Sequence, residues 1–222
     1  RIDNVSVYAS RIKAGRFLAM DSAVDADLVV GVPESGNAAA LGYSLQSGIP
    51  YGTAFVKNGY VGRTFIKPKQ SSRESSVRVK LNVLKEAVNG KRIIMIDDSI
   101  VRGTQLRETT EFLYKSGAKE VHVRPACPPL VYGCKFLNFS RSKSDLDLIT
   151  RRIIQEAEGE NCPAEVLAEY ADPDSCRYAK MVEEIRKIQN FTTLRFHRLD
   201  DLIASIGINP CKVCTYCFNG KE

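Results

Sequence analysis

The sequence lacks a long hydrophobic run and a recognisable export signal. None of its 222 residues lies in an apolar stretch of the length that a membrane-spanning helix requires, about 18 residues. The first residues, Arg1 to Asn4, show neither the basic-then-apolar order of a signal peptide nor an initiator methionine. We therefore expect a globular cytoplasmic protein with no membrane partner, and a chain that is a piece of a longer protein.

A paired set of cysteines is also lacking. The chain has seven cysteines, an odd number, and a protein without an export signal is expected to keep its thiols reduced. A disulfide framework is therefore not expected, and free thiols, a metal site or an iron–sulfur cluster remain as alternatives.

Basic charge is concentrated in one part of the chain. The net charge is +6, from 32 basic and 26 acidic residues. The stretch from Arg63 to Arg92 contains nine Lys and Arg residues against Glu74 and Glu86 alone. Such a local excess indicates an anion-binding loop, a nucleic-acid patch or an ordinary solvated surface, and composition alone leaves these alternatives open.

Apolar runs and turn residues predict alternating strands and helices. A strand is expected within Ala26 to Pro33, a helix over Asn37 to Leu45, and a second strand over Ile49 to Val56, which together form a βαβ unit. Further along the chain we expect an exposed mobile loop over Lys67 to Ser76 and a helix over Val79 to Val88.

Two carboxylates follow the most strongly predicted strand. The β-branched run Lys91 to Ile96 leads directly into Asp97 and Asp98. The carboxyl ends of the strands in a parallel sheet form the ligand crevice, so acids there are positioned for chemistry. Because adjacent residues of an extended chain point in opposite directions, we expect only one of the two to contact a ligand directly.

Small and hydroxyl residues lie between these acids and the next helix. Ser99 to Thr104 precede a helical pattern from Leu106 to Ser116 that ends at Gly117. Free N–H groups at a helix start bind phosphate, so a phosphate cradle is predicted. The alternative is an ordinary helix cap preceded by a solvated acidic turn.

Three motifs in order resemble those of the glutamine phosphoribosyl pyrophosphate (PRPP) amidotransferases. The segment from Ile94 to Thr104 resembles the PRPP-binding motif of type I phosphoribosyltransferases, Gly31 to Gly36 resembles the pyrophosphate loop, and Val56 to Ile66 resembles the start of the flexible loop. The resemblance is close from Arg1 to Tyr132 and resumes from Thr193 to Gly220. Between them, the stretch from Ser140 to Gln189 is rich in helix formers and indicates a helical insertion.

The resemblance implies a fold, a division of the chain and a reaction. The fold would be α/β, the type I phosphoribosyltransferase fold, with a mainly parallel twisted sheet flanked by helices and a helical C-terminal portion. Residues 1–139 would form the phosphoribosyltransferase core, and residues 140–222 the helical insertion and C-terminal segment with the cysteine cluster. Ammonia would attack C1 of PRPP, giving 5-phosphoribosylamine and pyrophosphate in de novo purine synthesis.

The resemblance also assigns roles to individual residues. Asp97 and Asp98 would face the ribose hydroxyls and, with Ser35, contact Mg²⁺. Pyrophosphate would be covered by Lys57, Tyr60 and Arg63, with Lys80 as a lesser candidate. Alone, such basic residues would be read as surface side chains and Tyr60 as core. The 5-phosphate would be held by the loop residues Ser99, Val101, Arg102, Gly103 and Thr104, with Arg102 serving loop geometry more than contact.

The cysteines near the C-terminus have the spacing of metal ligands. Cys211, Cys214 and Cys217 form overlapping Cys-x-x-Cys pairs, which suit zinc or an iron–sulfur cluster. Those members of the family that resemble the Bacillus enzyme carry a structural [4Fe–4S] cluster, and their ligand pattern matches Cys134, Cys214 and Cys217. The fourth ligand would lie before Arg1, or Cys211 would replace it.

The expected partners and the alternative functions also follow from the resemblance. A glutaminase domain would precede this chain in the intact protein, purine nucleotides would inhibit it, and the protein would be a homo-oligomer. No nucleic-acid partner is expected. The alternatives are a nucleobase salvage phosphoribosyltransferase and a non-enzymatic PRPP sensor that holds DNA, although no helix-turn-helix pattern is evident. A zinc module alone would leave the three phosphate-site motifs unexplained.

Overall fold

The computed structural model describes residues 1–57, 81–136 and 145–221. Within them, the strands are β1 (Leu28–Gly31), β2 (Phe55–Lys57), β3 (Leu81–Val83), β4 (Arg92–Asp97), β5 (Glu120–Pro125) and β6 (Thr193–Leu194). The helices are α1 (Val7–Asp21), α2 (Asn37–Ser47), α3 (Lys85–Val88), α4 (Thr104–Lys115), α5 (Ile149–Glu158), α6 (Ala164–Glu169), α7 (Cys176–Ile188), α8 (Leu199–Ile206) and α9 (Tyr216–Asn219). Short 3₁₀ turns occupy Asp145–Asp147 and Pro210–Lys212.

The central sheet is parallel, in the order β1-β4-β5-β6. In its middle strand β4, Ile93, Ile94, Met95 and Ile96 have no exposed surface, because helices cover both faces of the sheet. One buried cluster includes α1 and α2, and the other includes α4, α5 and α7. The expected α/β fold with a mainly parallel sheet flanked by helices is thereby confirmed, as is the helical character of the C-terminal portion.

Two elements predicted from sequence are different in the structure. The strand expected over Ile49 to Val56 is reduced to β2, which pairs with β3 in a separate antiparallel sheet. The main sheet keeps only an isolated bridge between Tyr51 and Val29. Pro50 has no N–H to donate and cannot extend a ladder, so the chain leaves the sheet edge and no βαβ unit forms.

The helix expected over Val79 to Val88 is also wrong over the first half of its described length. Leu81–Val83 is a strand, and only Lys85–Val88 is helical. Pairing with Phe55 and Lys57 of β2 satisfies the backbone of Leu81 and Val83, so tertiary contacts override the local helical pattern. The loop expected over Lys67 to Ser76 lies outside the described residues.

The C-terminal portion returns to the core sheet. β6 pairs with β5, since His122 and Val123 align with Thr193 and Leu194. A second contact joins this portion to α1, because Lys13 donates a hydrogen bond to the carbonyl oxygen of Ala204 in α8 at 2.7 Å. The division of the chain at residues 139 and 140 stays a prediction. No helix in the described residues is long and apolar enough to cross a bilayer.

Helices α1 and α2 approach each other so closely that a glycine is needed at the contact. A Cβ atom at Gly42 would lie 2.0 Å from the carbonyl oxygen of Ile12, a backbone atom that cannot turn aside. We expect Gly42→Ala to lower the free energy of unfolding by roughly 2–3 kcal/mol, because the helices have to separate. Urea denaturation measures this loss.

Gly48→Ala is the matched control for this prediction. Gly48 lies one residue after α2 with φ of 75° and has nothing within 4 Å of its would-be Cβ. Its substitution carries only the left-handed backbone cost of about 1–2 kcal/mol. A Gly42→Ala loss no larger than the Gly48→Ala loss contradicts the close approach of α1 and α2.

Candidate active site

Three loops meet at the carboxyl edge of the sheet. The N–H of Val32, after β1, donates to the carbonyl oxygen of Ile96 at 2.8 Å. The N–H of Ala126, after β5, donates to the carbonyl oxygen of Asp97 at 2.8 Å. The loops that follow β1, β4 and β5 are therefore fixed side by side at the edge where parallel sheets bind ligands.

Asp97 and Asp98 have different surroundings in this crevice. Asp97 is partly buried, and its Oδ1 accepts the N–H of Asp98 at 2.8 Å. Asp98 is exposed, and its Oδ1 accepts the hydroxyl of Ser99 at 3.0 Å. The two acids are thus an inner and an outer carboxylate rather than a matched acid–base pair.

The inner carboxylate resists ionisation. Burial raises the pKa of Asp97 to about 7, and the nearby charge of Asp98 contributes in the same direction. The hydrogen bond from the Asp98 N–H opposes both effects without cancelling them. Near neutral pH, Asp97 is therefore poised between its neutral and charged forms, which is typical of a functional site.

Asp97 is expected to reduce the stability of the ligand-free chain at high pH. Its raised folded-state pKa means that its stabilising proton is fully bound at low pH and is lost as the pH rises through about 7. Asp97→Asn stays neutral, so it should raise the free energy of unfolding at pH 8 by on the order of 1–3 kcal/mol. Denaturation near pH 4 should show little difference, and a gain that is equal at both pH values contradicts this cause.

The loop between β4 and α4 presents unpaired backbone donors. Within the described residues, no N–H group from Ser99 to Thr104 donates a hydrogen bond. Gly103 directly precedes α4 and has a left-handed backbone conformation with φ of 80°. Thr104, the first residue of the helix, is exposed. These donors lie at the positive end of a helix of 12 residues, where backbone N–H groups favour an anion.

The carbonyl groups of this loop accept hydrogen bonds from Ile149 and Arg152, two residues that the sequence patterns did not indicate. The N–H of Ile149 donates to the carbonyl oxygen of Val101 at 2.9 Å, and Arg152 donates to that of Arg102 at 2.7 Å. The Arg102 side chain pairs with Asp147 at 2.9 Å. No local pattern could have indicated these contacts, since the partners lie 45 to 50 residues apart in sequence.

The loop after β1 packs tightly over the end of β4. The Pro33–Glu34 peptide bond is cis, and the N–H of Gly36 donates to the carbonyl oxygen of Val32 at 3.0 Å. A Cβ atom at Gly36 would lie 2.3 Å from the carbonyl oxygen of Ile96, so only glycine fits there. Ser35 is partly buried and lines the same groove as Asp98.

Of the residues expected over the pyrophosphate, one is described. Lys57, at the end of β2, contacts Glu34 of the β1 loop at 3.2 Å. Both side chains are more than half exposed, so the pair contributes little to stability and can separate when an anion arrives. Tyr60, Arg63 and Lys80 lie outside the described residues.

An apolar groove opens beside Ser35 and Asp98. It encloses about 320 Å³ between α1, α8 and the loop edge. Its walls include Ala14, Ala39 and Leu202. Its lining also includes Asp3 and Arg11, so apolar and charged side chains both border the groove next to the outer carboxylate.

Two cysteines lie near enough to Cys217 to affect its ionisation. Burial and then the neighbouring thiols of Cys134 and Cys214 raise the pKa of Cys217 to about 11. The N–H groups of Val131 and Tyr132 donate to the carbonyl oxygen of Cys217 at 3.0 and 3.1 Å, which fixes the last helix against this segment. Across the described ranges, however, no three His, Cys, Asp or Glu side chains are arranged to hold one metal ion.

Relatives in sequence agree over almost the whole chain. The amidophosphoribosyltransferase of Mycobacterium tuberculosis H37Rv is 41% identical over 216 residues, which are 97% of this chain and 36% of the relative. That of Bacillus subtilis is 39% identical over 224 residues, covering 99% of this chain and 41% of the relative. The chain thus spans about two-fifths of the length of these curated relatives. No family model matches it.

A solved structure agrees with the fold. Glutamine PRPP amidotransferase from B. subtilis, in complex with ADP and GMP, matches with a TM-score of 0.77 and 38% identity. The match covers 100% of this chain and 43% of that chain. An enzyme described as the allosteric regulatory enzyme of purine biosynthesis matches with a TM-score of 0.76, also at 38% identity.

Proposed function

Because the chain belongs by sequence and by fold to the amidophosphoribosyltransferase family and spans about two-fifths of its relatives' length, we propose that it is their phosphoribosyl-transferring part. In this role it transfers the phosphoribosyl group of PRPP to ammonia. The products are 5-phosphoribosylamine and pyrophosphate, in de novo purine synthesis.

One observation carries the proposal: the unpaired N–H groups of Ser99 to Thr104 directly follow two carboxylates at the sheet edge. In this proposal the 5-phosphate of PRPP accepts hydrogen bonds from these groups and from the Thr104 hydroxyl. The ribose hydroxyls then face the carboxylates of Asp97 and Asp98. A phosphate and a sugar are thus held by neighbouring parts of one loop.

Pyrophosphate is proposed to bind the loop after β1. Ser35 offers its hydroxyl, and Lys57 exchanges Glu34 for the pyrophosphate charge. Tyr60 and Arg63, with Lys80 as a lesser contributor, would complete the cover and exclude water. Mg²⁺ prefers oxygen ligands and takes few protein side chains, so Ser35, Asp97 and Asp98 would offer it oxygen atoms while it offsets the pyrophosphate charge.

The reaction then needs alignment more than proton transfer. The C1–O bond breaks and pyrophosphate leaves with the bonding electrons, while the lone pair of ammonia forms the C1–N bond. The nitrogen afterwards loses one proton to solvent. Positive charge develops on the ribose in the transition state, and the carboxylates of Asp97 and Asp98 would stabilise it.

The acceptor is proposed to approach through the apolar groove. Ammonia is neutral and small, whereas ammonium would lose its hydration between walls such as Ala14, Ala39 and Leu202. In the intact protein a glutaminase domain would supply ammonia at this side. The same groove is of a size that accepts a flat organic ligand, so a nucleobase is the second acceptor to consider.

An iron–sulfur cluster is proposed for the intact protein only. Cys134, Cys214 and Cys217 would provide three thiolates, which matches the pKa effect that the first two exert on the third. The fourth ligand would come from outside this chain or from Cys211, and the cluster's contribution would be structural. Iron and acid-labile sulfide analysis of the intact protein and its Cys214→Ser variant tests this assignment, and equal iron contents contradict it.

Three further properties are proposed from the family. Purine nucleotides would inhibit, as the B. subtilis neighbour is a complex with ADP and GMP. The protein would be a homo-oligomer in the cytoplasm. Light scattering tests the assembly, and a monomer at micromolar concentration contradicts it. Measuring whether GMP competes with PRPP for binding to the chain tests the proposed inhibition.

The choice of acceptor tests the proposed function. Pyrophosphate release from PRPP is measured with Mg²⁺ and ammonium, and separately with adenine, guanine or hypoxanthine. We expect release that depends on ammonium and stops when EDTA removes the metal. Release that requires a nucleobase instead makes the chain a salvage enzyme, and PRPP binding without turnover under any of these conditions indicates a sensor or a crippled fragment.

A further inference from the structure

We propose that the helical segment over residues 145–189 is the rigid support of the phosphate loop, with Arg152 and Gln189 as positioning residues for the 5-phosphate. This inference rests on the proposed function. It assigns a role to a segment whose sequence resembles no motif of the site.

The support acts first through two carbonyl groups. Ile149 and Arg152 hold the carbonyl oxygens of Val101 and Arg102 at 2.9 and 2.7 Å. A trans peptide plane directs the carbonyl of one residue and the N–H of the next in opposite directions. Anchoring these two carbonyls therefore points the N–H groups of Arg102 and Gly103 away from the support, toward the open side of the loop.

Those same N–H groups are available to a ligand. In the part of the chain that the structure describes, neither the Arg102 nor the Gly103 N–H has an acceptor. Without the anchors, each peptide plane could rotate and turn its donor away, because a loop outside regular secondary structure that contains a glycine has several accessible conformations. The support would thus fix in advance the donors that a phosphate requires.

Gln189 supports the loop from directly beneath Gly103. Its Nε2 lies 2.4 Å from the position that a Cβ at Gly103 would occupy. The side chain is only 3% exposed, yet its Oε1 has no hydrogen-bond partner among the described residues. A buried oxygen of this kind costs stability, so packing alone would favour an apolar side chain here. An amide that faces the bend of the loop suggests a role in shaping the site instead.

The Arg102–Asp147 pair adds orientation rather than strength. Both side chains are substantially exposed, so the pair contributes little to stability. It nevertheless keeps the Arg102 side chain on the support side, away from the row of N–H groups. Three consecutive loop residues, Val101 to Gly103, are therefore held by one segment.

Separate titrations of ribose 5-phosphate and of pyrophosphate with Mg²⁺ test the inference, because only the first ligand needs the loop. We expect Arg152→Ala to weaken ribose 5-phosphate binding about tenfold, since it removes a charged donor. Pyrophosphate binding should stay within about twofold of the native value. Arg152→Lys keeps a charged donor and should recover part of the loss.

Gln189→Leu and Arg177→Ala separate positioning from stability. Gln189→Leu removes the unsatisfied oxygen, so we expect an unchanged or higher melting temperature together with weaker ribose 5-phosphate binding. Arg177 lies in the same segment and pairs with Glu158 and Glu169 at 3.0 and 2.8 Å, away from the loop. Arg177→Ala should leave the affinity for both ligands unchanged even where it lowers the melting temperature.

The outcomes distinguish this inference from the proposed function. A native chain that binds neither ligand overturns the proposed function and the inference with it. A native chain that binds both, with Arg152→Ala and Gln189→Leu binding ribose 5-phosphate equally well, overturns the inference alone. Equal losses for both ligands also overturn it, because they indicate general damage. If Arg152→Ala does not fold, Gln189→Leu decides.

Discussion

The double substitution Asp97→Asn/Asp98→Asn is expected to lower ammonium-dependent pyrophosphate release from PRPP by about 10³-fold or more. Asn keeps the shape of both side chains but removes the negative charge that would face the ribose and the metal. Asp98 is exposed in the crevice, whereas Asp97 lies beneath it and accepts its N–H. Of the two single variants, Asp98→Asn should therefore lower the rate of turnover more than Asp97→Asn.

Glu111→Gln is the matched control for this loss. Glu111 is a partly exposed carboxylate on α4 that pairs with Arg107 and Lys115, remote from the start of the helix. Its substitution changes the net charge by one unit and should leave turnover unchanged. Turnover of the double Asn variant within about tenfold of the native rate contradicts the assignment of the carboxylates, provided that the variant melts as a folded protein.

Gly103→Ala is expected to have the second largest effect. Gly103 has φ of 80°, and an added Cβ would lie 2.4 Å from Gln189 Nε2 and 2.8 Å from Ile149 Cδ1. The loop has to change its conformation, so its N–H groups no longer converge on one phosphate. We expect ribose 5-phosphate binding to weaken by more than about 30-fold, by analogy with the loss of several charge-assisted hydrogen bonds. Calorimetric titration measures this change.

Gly90→Ala is the control for Gly103→Ala, because it introduces backbone strain at a positive φ without a steric clash. Gly90 has φ of 74° with nothing within 4 Å of its would-be Cβ, and it lies at the amino end of β4. Its substitution should lower stability with no effect on ligand affinity. Equal affinities of native and Gly103→Ala chains contradict the phosphate role of the loop.

Sequence patterns predicted the strand and the helix on either side of the candidate phosphate loop, because their signals are local. The run from Lys91 to Ile96 is β-branched and apolar, and the structure has β4 ending at Asp97 as that pattern implies. The helix expected from Leu106 is α4, which begins two residues earlier. The expected phosphate cradle needs only a strand, a short loop and a helix start in sequence, and the structure has these three elements in that order.

Elements that depend on distant partners were not predictable in this way. Leu81–Val83 has a helical pattern locally, but its pairing with Phe55–Lys57 makes it a strand. Likewise, Arg152 and Gln189 carry no signal of their own, and only the folded chain brings them to Arg102 and Gly103. The raised pKa of Asp97 also depends on burial, which adjacent sequence does not determine.

The transfer of nitrogen from ammonia to C1 of PRPP is tested most directly by following the nitrogen itself. The chain is incubated with PRPP, Mg²⁺ and ¹⁵N-labelled ammonium, and the sugar phosphate product is analysed by mass spectrometry. We expect ¹⁵N bound to phosphoribose in samples taken at early times, before the glycosylamine hydrolyses, and none with Asp97→Asn/Asp98→Asn. Pyrophosphate release without ¹⁵N on phosphoribose even in the earliest samples would contradict the transfer to ammonia, because water would then be the acceptor.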